Sequence, residues 1–83
     1  MNTIRNIHFT LLVRLNNRLH EFNFRKRSDN LYDADTSDDR SNRYYFKMVQ
    51  EGSSWQIEGK DIPVWITTNS DNIIQTFLQR ITS

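Results

Sequence analysis

Two alternating stretches meet at a pair of asparagines, and no other feature of the chain constrains its fold as tightly. Ile7, Phe9, Leu11, Val13 and Leu15 fall on one side of an extended chain, with His8, Thr10, Leu12 and Arg14 on the other. A period of two marks a strand with one buried face. Asn16-Asn17 follows, and asparagine tolerates the positive φ that a tight hairpin turn requires. Residues 18–27 alternate again, with His20, Phe22 and Phe24 on one side. A two-residue turn then fixes the register. Leu15 faces Arg18, Val13 faces His20, Leu11 faces Phe22 and Phe9 faces Phe24. The last three pairs all lie on the apolar side, so pattern and turn agree. A rival reading places Ile4, Ile7, Leu11, Leu15, Leu19 and Phe22 on one face of a helix. It leaves Phe9, Val13 and Phe24 off the stripe, and the hairpin does not.

The rest of the chain continues the pattern. Ser28-Asp29-Asn30 reads as a turn. Tyr32, Ala34 and Thr36 alternate with Asp33, Asp35 and Ser37 as a short polar strand, and Asp38 to Asn42 has loop composition. Residues 43–50 form a strand with Tyr44, Phe46 and Met48 inward and Tyr45, Lys47 and Val49 outward. Glu51-Gly52-Ser53-Ser54 closes a hairpin into Trp55-Gln56-Ile57, and Gly59 breaks that strand. Ile62 to Ile66 reads as a last extended piece, with Pro63 at an edge or a strand start because it lacks a donor. Ile73, Ile74, Phe77, Leu78 and Ile81 form a helical stripe. Thr68 or Ser70 is placed to cap it, and Asp71 suits the first turn. The expected fold is α+β: an antiparallel meander of about five strands with one C-terminal helix on one face. The expected core is Phe9, Leu11, Val13, Phe22, Phe24, Phe46, Met48, Trp55, Ile57, Val64, Ile66, Ile73, Phe77 and Ile81.

Size and composition narrow the function classes. The 83 residues are read as one small domain, residues 1–83, with a thin core that a second copy would supplement. The net charge of +1 gives no overall field for a polyanion or a membrane. There is no cysteine, so disulfides, thiolate metal sites and cysteine nucleophiles are excluded. The start of the chain lacks the pattern of a signal peptide, and no apolar run is long enough to span a bilayer. A cytoplasmic protein with no membrane association is the expectation.

Few residues carry chemistry. Asp33-Ala-Asp35-Thr-Ser37-Asp38-Asp39 invites a calcium reading, yet the sixth loop position is Asp38 where glycine belongs, and the twelfth is Tyr44 where glutamate belongs. A solvated acidic turn is the simpler reading. His8 and His20 fall on opposite faces of the hairpin, so they cannot share a metal. His20, facing Val13, reads as a hydrogen-bonded residue at the core margin. No serine sits in a nucleophile elbow, and the paired carboxylates appear only in the exposed acidic stretch. No catalytic residue, metal ligand or cofactor is assigned, and the chain is read as a non-enzyme.

Two surface features remain. Residues 1–30 carry a net charge of +4 and residues 31–83 a net of −3. Arg14, Arg25, Lys26 and Arg27 are the candidates for a basic stripe that holds single-stranded nucleic acid. A solvated outer face protected from edge pairing explains the same charges. Leu12, Leu19, Tyr45 and Val49 point away from the helix-covered face, where alternation should place polar residues. Such positions mark contact surfaces, although scattered surface leucines also occur without cause. The element order, strands followed by the stretch Ile62 to Ile81, resembles the single-stranded-DNA-binding coactivators of the positive-cofactor-4 type. That resemblance implies a strand meander plus helix, a dimer and a nucleic-acid ligand. The chain lacks the glycine-rich loops of that family, and no residue is carried over. The leading expectation is a non-catalytic interaction domain that self-associates or docks a protein partner through the helix-free face, using Leu12, Leu19, Tyr45 and Val49. The alternative is nucleic-acid binding through the basic hairpin.

Overall fold

The computed structural model describes residues 7–82. Ile4 of the rival helix and Arg5 of the basic half lie outside the described residues. Strands β1 (His8–Leu15) and β2 (Arg18–Ser28) form the hairpin in the expected register, from His8 opposite Arg25 to Leu15 opposite Arg18. Asn16 and Asn17 take φ of 52° and 66°, a turn whose twist matches that of the flanking strands. The helical alternative for this segment is thereby excluded.

Strands β3 (Leu31–Ser37), β4 (Arg43–Glu51) and β5 (Ser54–Glu58) follow, and each pairs antiparallel with its neighbour in sequence. The result is a five-stranded meander in the order β1-β2-β3-β4-β5. Gly52, at φ 63°, makes the turn between β4 and β5. Beyond β5, a Cβ on Gly59 would stand 3.3 Å from the Phe46 Cα, so glycine lets the chain leave the sheet against β4. A register shift in β2 between Lys26 and Ser28 bulges the strand and adds local twist.

Two helices close one face. Helix α1 (Val64–Thr67) is a single turn and α2 (Ser70–Thr82) has three and a half. The expected extended piece from Ile62 to Ile66 is therefore corrected. Its β-branched residues favour a strand, but the carbonyl of Pro63 accepts from the N–H groups of Ile66 and Thr67. The Thr67 and Thr68 hydroxyls donate to the Val64 carbonyl. These local bonds, with Ile66 fully buried, outweigh propensity. Val64, expected in the core, is 76% exposed because one helical turn cannot point three successive residues inward. Trp65 takes its place, stacking on His20 with ring centroids 4.8 Å apart. Capping also differs. Thr68 ends α1, the Asn69 carbonyl accepts the first bond of α2 from Ile73, and the Asn69 amide donates to the Trp65 carbonyl.

The core is a layer of rings. Phe77 of α2 lies 4.9 Å from Tyr32, 5.1 Å from Phe24 and 5.1 Å from Trp55 between centroids, with Phe9 at 6.3 Å. Leu15, Tyr32, Ala34 and Thr36 join the core although they were not expected there. The Thr36 hydroxyl donates to the Glu21 carbonyl, which lets it sit in an apolar layer at little cost. Helix α2 touches both edge strands, β1 and β5, so the sheet curls around it. Among the described residues no helix is long and apolar enough to cross a membrane.

The turn gives a direct check. Asn17→Val should destabilise the protein by about 1–2 kcal/mol in urea unfolding, because a β-branched residue resists positive φ. Asn17→Gly should be at least as stable as the parent.

Candidate interaction surface on the helix-free face

Alternation sends every second side chain of the sheet away from the helices, and the ladder aligns them into rows. One row crosses all five strands as His8, Arg25, Asp33, Lys47 and Glu58. The next crosses four strands as Thr10, Asn23, Asp35 and Tyr45. The second row is a hydrogen-bonded chain. The Thr10 hydroxyl donates to Asn23 Oδ1 at 2.6 Å, and Asn23 Nδ2 donates to Asp35 Oδ1 at 3.0 Å. Arg43 donates to the same carboxylate. Together these rows floor an open trough of about 800 Å³ that reaches Gly59 and Lys60 beyond β5.

The acids of this face lie in the short polar strand that the alternation predicts, not in a solvated turn. Asp33 and Asp35 belong to β3 and are clamped by their cross-strand neighbours. Asp33 accepts from Arg27 Nε and, at 3.1 Å, from Lys47 Nζ. The Arg27 guanidinium, aided by Lys47, holds the Asp33 carboxyl below its usual range against a smaller opposing push from burial. Exposed pairs of this kind are worth little individually. Their consequence is electrical: much of the basic charge on the face is neutralised in place.

The four expected contact residues do not form one patch. Leu12 and Leu19 are diagonal neighbours near the hairpin tip, opposite Glu21 and Arg14, at 59% and 57% exposure. Tyr45 stands two strands beyond β2, opposite Asp35 in the trough, at 68% exposure. Val49 is half-buried further along β4, flanked by Leu31 and Gln56. The basic candidates are divided as well. Arg14, Arg25 and Arg27 lie on the helix-free side. Lys26 shares the other side with Phe24 and pairs with Asp29 at 3.2 Å. Arg27 is held by Asp33, whereas Arg14 and Arg25 make no salt bridge among the described residues.

Sequence reasoning missed Asn23, Asp35 and Arg43. The hairpin register alone places Asn23 beside Thr10, but the continuation to Asp35 needs β3 aligned as well. It also missed a second cleft of about 330 Å³, between the hairpin tip, the β3–β4 loop and Trp65. A salt bridge from Arg18 to Asp39 spans this cleft, and the His20–Trp65 stack lies in its wall. His20, expected to be hydrogen-bonded at the core margin, is instead held by that ring contact.

The loop beside this cleft is organised by Asp38. Its carboxylate accepts from the backbone N–H groups of Arg40 and Asn42, the Asn42 amide and the Tyr44 hydroxyl. The Asn42 side chain leads in lowering the Asp38 pKa to about 2, with the two backbone donors and Tyr44 adding to it against an opposing push from burial. All these donors are spent on the carboxylate, so its oxygens shape a turn rather than await a cation.

Because the folded-state pKa lies below the ordinary 3.8, Asp38 stabilises the fold fully above about pH 4, and this is lost as pH falls through about 2. Asp38→Asn should melt below the parent at neutral pH, and the gap between their melting temperatures should close between about pH 4 and about pH 2. Scanned against protein-family models, curated proteins and solved structures, the chain matches none.

Proposed function

We propose that this protein is a small non-catalytic interaction domain that docks a protein partner through the helix-free face of its sheet. One observation carries the reading: Leu12, Leu19 and Tyr45 remain 57–68% exposed on a face whose alternation should be polar. Around them the trough offers hydrogen-bonding groups and both signs of charge, with Asp33 paired to Arg27 and Lys47 and Asp35 paired to Arg43. Such a surface suits the mixed chemistry of another protein better than a phosphate backbone. Tyr45 supplies the amphipathic anchor, Leu12 and Leu19 a second apolar point, and Val49 the margin. A cytoplasmic setting fits the cysteine-free composition.

Single-stranded nucleic-acid binding through Arg14, Arg25, Lys26 and Arg27 is the second reading. In its favour, Arg14 and Arg25 have no acidic partner among the described residues. It has less support because Lys26 faces the other side and two aspartates sit within the stripe. Binding of this kind weakens steeply with added salt, and no binding of a short oligonucleotide at low ionic strength removes it.

The leading reading is tested by capture from lysate of the host cell. Tyr45→Glu and Leu12→Glu should each keep the parent's circular dichroism and lose a protein that the parent retains, Tyr45→Glu by at least about 30-fold in affinity. Equal retention by parent and variants, or none by either, overturns it.

A further inference from the structure

The hydrogen-bond phase of β1 leaves one edge of the sheet open. Lys26 N–H donates to the Ile7 carbonyl at 2.9 Å. Paired residues in an antiparallel ladder exchange bonds at every second position. Phe9, Leu11, Val13 and Leu15 therefore spend their backbone groups on β2. His8, Thr10, Leu12 and Arg14 turn theirs outward. A second contact agrees with this phase: Asn72 of α2 reaches over the edge and donates through Nδ2 to the Arg14 carbonyl at 2.7 Å. The edge is thus sealed at Arg14. The outward backbone groups of His8, Thr10 and Leu12 have no partner among the described residues.

Folded proteins blunt such edges with charge, proline or a bulge. Ile7 to Val13 contains no proline, glycine, lysine, arginine or acid, and the bulge lies on β2. The side chains are β-branched, aromatic or leucine in all but one position, the composition that takes up a further strand. The opposite edge, β5, has only five residues.

We propose that β1 pairs antiparallel with β1 of a second copy, about a two-fold axis at Thr10, to give one continuous sheet. This register uses the open residues and stops at the sealed one. His8 faces the second copy's Leu12 and Thr10 faces its own counterpart, giving about six backbone hydrogen bonds. On the helix-covered side, Phe9 meets Leu11 and Ile7 meets Val13. Phe9 and Leu11 are half-buried and Ile7 is exposed in the single chain, so apolar residues that now meet water would meet each other. No like charges come opposite, and a net charge of +1 gives little mutual repulsion. The contact is isologous and consumes both β1 edges, so it closes at two copies. It runs along the edge, shares His8, Thr10 and Leu12 with the helix-free face, and rests on neither Tyr45 nor Leu19 of the docking surface proposed above.

Sedimentation equilibrium from about 1 µM to about 1 mM, with amide exchange read at each end, tests the pairing. The parent should reach the mass of two chains, with the Thr10 and Leu12 amides gaining protection as it does. Thr10→Pro removes the outward N–H together with the exposed hydroxyl bond to Asn23, and Thr10→Lys sets two ammonium groups opposite each other. Both should stay at the mass of one chain with the Phe9 and Leu11 amides still protected, while Tyr45→Glu should dimerise like the parent. A parent that is monomeric throughout, including one whose edge is protected only by a different protein, overturns the proposal. So does a dimer that survives both Thr10 substitutions or is broken by Tyr45→Glu.

Discussion

One side chain joins the two ends of the sheet. Phe77 enters from α2 and meets rings from β1, β2, β3 and β5. A meander by itself has local pairing and nothing to fix its curvature. The ring layer fixes it, because β1 and β5 must both bend toward the same helix to reach Phe77. Edge-to-face and offset ring contacts also add directional energy to simple burial. A second, smaller group does the same work at the other end, where Trp65 of α1 meets His20, Phe22 and Tyr44. Each helix therefore contributes one aromatic residue that pins a different part of the sheet.

Placing both helices on one side determines the character of the other. Every inward ring has outward neighbours in the same strand, and these align into rows by register alone. The trough is a by-product of that geometry, lined with whatever the alternate positions carry. Its hydrogen-bonded row from Thr10 to Arg43 stiffens four strands at once. Pre-organised polar groups of this kind reduce the ordering that a partner must impose on binding.

How much could be read beforehand depended on how local the determining interaction was. The first hairpin was fully legible, because Asn16-Asn17 and the alternation on both sides specify one register. The stripe of α2 was legible for the same reason. The role of β3 was only half legible: its alternation was visible, but its aspartates look like loop residues until Arg27, Lys47 and Arg43 are brought alongside by pairing. Ile62 to Ile66 was misread because its β-branched residues favour extension, whereas the deciding factors were a proline carbonyl and two threonine hydroxyls acting within one turn. The contact residues illustrate the same limit. Their exposure follows from parity, but their separation into Leu12–Leu19, Tyr45 and Val49 follows from strand order, which no short window contains.

The position of Phe77 in the chain orders events during synthesis. All five strands are complete at Glu58, nineteen residues before the ring that covers them. Hairpins between sequence neighbours form quickly, while a ribosome takes about 1–4 s to add that many residues. For that interval the nascent sheet presents Phe24, Tyr32 and Trp55 without their lid. The sheet's inner side is thus the last apolar surface to be covered, and it is covered only when the helix arrives.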